Sequence, residues 1–112
     1  VMNQARFDDT IGIFPEFIDG RGIIILPTTG RYFQVPFGCM VPQKVENLLV
    51  VGRSVSGDQT AHCAFRNMMC CTVTGQGAGT AAAVSLKNGV HVSNVNIADV
   101  QKLLIKRGVK IK

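Results

Sequence analysis

The sequence lacks an apolar run of the roughly 20 residues needed to cross a bilayer. Its longest uncharged window, Asn67 to Leu86, is too rich in Gly, Thr, Gln and Ser to serve as one. No Cys-x-x-Cys pair occurs among its four cysteines, Cys39, Cys63, Cys70 and Cys71. Structural zinc needs ligands at hairpin or helix-turn spacing, and only two histidines are present to help. A site drawn from His62, Cys63 and the vicinal Cys70–Cys71 pair is therefore set aside. Reduced, mostly buried thiols of an intracellular protein, compartment unknown, are the expectation. Val1 to Phe7 is polar and carries no apolar segment of a signal peptide. The first residue is not Met, so the start reads as cut or incomplete. Internal repeats and low-complexity tracts are also missing.

Acidic residues are few as well: 7, against 12 Lys and Arg, for a net charge of +5. Lys102, Lys106, Arg107, Lys110 and Lys112 supply much of the excess, on or after the last predicted helix. No aromatic residues are interleaved there to stack bases, so a nucleic-acid partner is disfavoured. A solvated helix face with a basic tail accounts for the pattern. The 112 residues suffice for one small domain.

Four apolar residues, Ile23 to Leu26, lie between Gly20-Arg21-Gly22 and Pro27 and predict a strand. Asp8 to Phe17 mixes acids with Ile11, Ile13, Phe14 and Phe17 around Gly12 and Pro15, and predicts an irregular, partly buried segment. Arg31 to Val35 reads as extended, and so does Phe37 to Pro42. Leu48 to Val51 is the clearest strand: apolar on both faces, as inside a parallel sheet covered on both sides. Gly52 ends it, and Arg53 to Ala61 reads as loop. A helix is predicted from Met68 or Met69 to about Asn88, stopped by Gly89. Its Gly75, Gly77 and Gly79 each disfavour a free helix by roughly 1 kcal/mol against Ala, which close packing would offset. After a loop at Val92 to Asn96, a last helix capped by Asn96 or Ala98-Asp99 runs through Lys106 and ends at Gly108. So few strands cannot make an independent parallel sheet, and the chain is expected to be part of something larger.

Gly75-Gln-Gly-Ala-Gly-Thr80 fails as a dinucleotide-binding fingerprint. Its glycines lie inside the helix pattern instead of bridging strand and helix, the third comes one position early, and no acidic residue follows a second strand about 20 positions on. The layout fits something else. Asn47-Leu-Leu-Val-Val-Gly-Arg53, then Arg66, then Thr74-Gly-Gln-Gly-Ala-Gly-Thr-Ala-Ala-Ala83 resemble the C-terminal end of FAD-dependent oxidoreductases. Their typical wording is Asn-Leu-Leu-Val-Ala-Gly-Arg, followed by Thr-Gly-Gln-Ala-Ala-Gly-Thr-Ala-Ala-Ala. Asp9 to Asp19, Leu26 to Gly38 and Val95 to Leu104 extend the resemblance over nearly the whole chain. The block from Asn47 to Ala83 is the specific part. One departure is Met69, where the family often has Pro.

The resemblance implies an α/β fold: the C-terminal fragment of a Rossmann-type FAD-binding fold, with short strands, a Gly/Ala-rich helix and a terminal helix, incomplete alone. Residues 1–44 would belong to the substrate or cap region and its return connection, and 45–112 to the C-terminal part of the FAD-binding domain. The cofactor would be FAD in the complete protein. The partners would be the remainder of the FAD-binding domain or a partner chain, and a small-molecule substrate. With no Gly-x-Gly-x-x-Gly after a strand, this chain is not expected to be active alone. The resemblance further implies that Gly52 lets the strand end approach the ribityl chain, with Arg53 beside it. Arg66, Met68, Met69, Cys70 and Cys71, opening the helix, would approach the pyrimidine side of the flavin ring, where helix-start N–H groups stabilise negative charge. His62 is read as proton donor or substrate hydrogen-bond partner, or else as an ordinary loop histidine. Arg66 would anchor a substrate carboxylate or the flavin O2, or else pair with Asp58 or another chain. Asp58 would cap a turn or touch a ligand. A truncated, non-catalytic relative serving as a structural piece of an assembly is the alternative.

Overall fold

The computed structural model describes residues 2–20 and 22–112. Strand β1, Thr10–Pro15, pairs antiparallel with β4, Tyr32–Pro36. Asp8 to Phe17 is thus mostly regular strand, not the irregular segment its composition suggests. A register shift between Thr10 and Gly12 sets Ile11 off the ladder and into the core. Strands β2, Ile18–Gly20, and β3, Ile23–Ile25, form a separate antiparallel hairpin, whose outer strand leaves Ile23 and Ile24 exposed.

Three helices follow: α1, Gln59–Phe65; α2, Met68–Asn88; and α3, Ile97–Lys106. Helix α2 has the predicted limits and stops at Gly89, which is left-handed at φ 65°. Asn96 caps α3, its side-chain oxygen accepting the Ala98 N–H at 3.0 Å. β1 lies directly across α2. A methyl group added at Gly12 would stand 2.5 Å from Val73 Cγ1, and one at Gly77 would overlap the Ile11 side chain, 3.0 Å from its Cβ. Close packing thus explains Gly77, whereas Gly75 and Gly79 face open space in this chain. Val100 and Leu104 of α3 fill the core, and Phe65 of α1 packs on Phe33 of β4 at 5.6 Å between ring centroids. The tail returns to the β1–β4 ladder, where the Ile111 carbonyl accepts from Thr10 Oγ1 and Gln34 Nε2, each at 3.3 Å.

Three expectations need correction. Phe37 to Pro42 is not extended: Phe37–Met40 is a 3-10 turn, begun after Pro36. The loop read from Arg53 to Ala61 ends early, because Asp58 accepts the Ala61 N–H at 2.8 Å and starts α1. Leu48 to Val51 forms no strand and lies in no parallel sheet; both sheets among the described residues are two-stranded and antiparallel. Only the Val50 N–H pairs across, to the Met40 carbonyl at 2.8 Å, and Leu48 and Val51 stay 46% and 40% exposed. The apolar composition is that of a covered strand, but this chain supplies neither its neighbours nor its cover.

The open end of the β1–β4 ladder is clamped by Arg31, whose guanidinium donates to both carboxylate oxygens of the buried Glu16. That hydrogen bond outweighs desolvation and holds the Glu16 carboxyl below its ordinary 4.5. The clamp therefore contributes its full stability above that pH and loses it as the pH falls through the lowered value. Glu16→Gln is expected to lower the unfolding temperature at pH 7 and to narrow the gap to the parent as the pH drops below about 4. A pH-independent gap in thermal unfolding would refute the ionic clamp.

Candidate functional site

Leu48 to Val51, unassigned to any element and extended at Val51, leads into Gly52, at φ 69°, a backbone angle side-chain-bearing residues rarely adopt. The Gly52 N–H donates to Thr74 Oγ1 at 3.0 Å, and that hydroxyl donates on to the Cys71 carbonyl at 2.9 Å. Thr74 is wholly buried, so it ties the 3-10 turn Gly52–Ser54 to the second turn of α2. Arg53 then reaches the start of α2, its Nε donating to the Arg66 carbonyl at 3.2 Å. Arg66 is anchored from β2: Nη2 donates to the Asp19 carbonyl at 2.6 Å and to Asp19 Oδ2 at 3.1 Å. Its ion-pair partner is thus Asp19; Asp58 is occupied as the α1 cap.

The elbow between α1 and α2 leaves α2 open at its amino end. Asn67, at the cap position, turns its amide back to the Ala64 carbonyl at 2.8 Å. The side chain closes the end of α1 and gives α2 no cap bond. Among the described residues no acceptor takes the N–H groups of Met68, Met69 or Cys70. These are orphan donors at the positive end of a 21-residue helix. Met68 and Met69 flank them, 75% and 67% exposed. An apolar groove of about 610 Å³ opens alongside, between Phe14, Phe17 and Pro27 on one wall and Met68, Met69 and Val73 on the other.

The chain therefore brings Gly52, Arg53, Arg66, Met68 and Met69 to one end of α2. Cys70 and Cys71 are there too, Cys70 not as a reactive thiol. The Cys70 side chain points into the core, where burial pushes its thiol up to about 12. Burial likewise raises Cys39 to about 11, so both stay protonated at neutral pH. Only the backbone N–H of Cys70 is available at the helix start. The Cys71 thiol lies 3.6 Å from the Phe65 carbonyl. His62 is exposed on α1, and its carbonyl accepts the Arg66 N–H at 3.1 Å; its imidazole has no hydrogen bond or ion pair among the described residues.

Thr74 and Asp19 were not singled out from sequence. Thr74 lay inside the Gly/Thr-rich motif, where only burial reveals its role, and Asp19 meets Arg66 across 47 positions. Among the described residues no group of three or more His, Cys, Asp or Glu can hold a metal ion, and no helix is long and apolar enough to cross a membrane.

This arrangement suits a planar, partly apolar group with an electron-rich edge. The groove, lined by Met68, Met69 and Val73, can take an apolar part and the free N–H donors an electron-rich one, while Gly52, Arg53 and Arg66 lie outside the groove lining. Comparisons with curated proteins and with solved structures return no match. A protein-family model described as FAD dependent oxidoreductase matches residues 1–104, spanning every element from β1 into α3. With that match over nearly its full length, the chain belongs to the FAD-dependent oxidoreductase family.

Proposed function

We propose that in the complete protein this chain closes the flavin site of an FAD-dependent oxidoreductase, with the start of α2 turned to the pyrimidine side of the ring and the Gly52 turn beside the ribityl chain. One observation carries the reading: the first turn of α2 is uncapped and open, its N–H groups unclaimed beside an apolar groove. The residues fit such a group. Gly52 has no atom within 4 Å of where a side chain would begin, so a ligand can approach its backbone. Flavin, when bound, supplies the electron transfer itself. The chain's residues place donors where negative charge collects. Arg53 and Arg66 add positive charge, and Asp19 fixes where the Arg66 guanidinium stands. His62, one turn before Arg66 on the helix that Asp58 caps, is the proposed proton donor.

The same reading gives Leu48 to Val51 a place. Its apolar side chains and single cross-chain hydrogen bond suit a strand completing a Rossmann-type parallel sheet built from other polypeptide.

Arg66→Ala in the full-length protein is expected to weaken flavin binding by about 30-fold, the loss of a charge-assisted hydrogen bond near 2 kcal/mol. Retained visible flavin absorbance on dilution measures it. Asp19→Asn, which removes the ion pair but keeps the hydrogen bond to the residue 19 carbonyl, should give a smaller loss. Unchanged flavin affinity and turnover in Arg66→Ala would remove Arg66 from the site. A colourless native protein would favour the non-catalytic alternative.

A further inference from the structure

The net positive charge of this chain is carried by its C-terminal segment. Residues 84–112 carry six of the 12 Lys and Arg and one of the 7 Asp and Glu, while the preceding residues are balanced, six against six. The whole net charge of +5 therefore sits on the last turn of α2, on α3 and on the tail. A depression of about 310 Å³ lies there, between α2 and α3. Val84 and Leu103 make its apolar part, and Lys87, Lys102 and Lys106 surround it with Asn88 and Asp99. Among the described residues none of the three lysines is ion-paired. Lys102 and Lys106 stand one turn apart on α3, and Lys87 faces them from α2. With Asp99 counted, the rim carries two net positive charges. The α2 carboxyl end adds a partial negative charge that Lys87 offsets.

We propose that this depression binds an organic phosphate, its phosphate held by Lys87, Lys102 and Lys106 and its apolar body resting on Val84 and Leu103. Phosphate matches the site in charge, since a monoester carries nearly two negative charges at neutral pH. Ammonium groups bind phosphate as point charges, and three of them around one depression can share its oxygens. The apolar floor distinguishes an organic phosphate from the inorganic ion. A helix of 21 residues spans about 30 Å, so this site lies far from the amino end of α2 and is independent of the flavin reading.

Titration calorimetry on the full-length, flavin-loaded protein, at constant ionic strength, tests the proposal with phenyl phosphate and inorganic phosphate as probes. Phenyl phosphate should bind saturably at one site, and more tightly than inorganic phosphate by about tenfold, the contribution of a ring leaving water. Lys102→Gln with Lys106→Gln should weaken it by at least about tenfold. Lys110→Gln with Lys112→Gln, the same loss of charge from the same C-terminal segment but outside the depression, should leave it nearly unchanged. Flavin content should stay constant throughout. Equal losses from both pairs would show a diffuse field and overturn the site. Equal affinity for the two probes would overturn the role of the floor. Binding to phosphatidic-acid vesicles without binding of phenyl phosphate would assign the charge to a bilayer surface, and the proposal would fail.

Discussion

Gly77→Leu in the full-length protein is expected to lose several kcal/mol of stability and much of its soluble yield. The position lies where β1 crosses α2, and Ile11, wholly buried, already occupies the space a side chain would enter. Overpacking a core typically destabilises by about 1–3 kcal/mol even when neighbours shift, and the Ile11 Cβ is close to a backbone that cannot shift freely. Gly77→Ala should fall within that range. Ile11→Ala should rescue part of the loss, as expected of residues that share one space. Two positions away the same change should reverse sign. Gly79 is exposed, with open space around it, so Gly79→Ala should gain about 1 kcal/mol from helix propensity alone. Urea unfolding of these variants checks the pattern. Equal effects at 77 and 79 would mean that β1 does not cross α2 as described.

Thr74→Val should be the most damaging change near the proposed flavin site that touches no ligand. Valine keeps the shape but removes the acceptor of the Gly52 N–H and the donor to the Cys71 carbonyl. A buried donor left without a partner costs about 1–3 kcal/mol, and the half-buried Gly52 N–H falls toward the low end. The Gly52 turn, freed from α2, should also release flavin faster, with an affinity loss of about tenfold. Thr74→Ser retains the hydroxyl and should preserve most of both properties. Stopped-flow release of flavin, read beside thermal unfolding, separates the effects. Unaltered release from Thr74→Val would show that the turn is held in place by something other than this hydroxyl.

The helices with local punctuation were legible in the sequence. Gly89 and Gly108 mark helix ends, Asn96 marks a start, and the long small-residue run could only be helix. β3 and β4 were legible because glycine, proline and apolar runs bound them. β1 was not, because its partner lies across two intervening strands and its Gly12 and Pro15 read as breakers. α1 was missed because seven residues are too few to show a helical period. Leu48 to Val51 shows the opposite failure. Its composition belongs to a covered strand, but pairing is a property of neighbours, and none is supplied here. At the candidate site, the motif words led to Gly52, Arg53, Arg66 and the opening of α2. The connections among them were out of reach: Asp19 to Arg66, Thr74 to Gly52, and Asn67 turned backward onto α1. Each depends on where a side chain points after the chain has turned.

Leu48 to Val51 has a consequence for handling these 112 residues by themselves. A stretch of apolar backbone with unspent hydrogen-bonding groups adds whatever strand it meets first. In a solution of identical copies that strand is another copy, and self-association is the expected result. On the proposed flavin reading, co-expression with the rest of the FAD-binding domain is the expected route to a tractable sample.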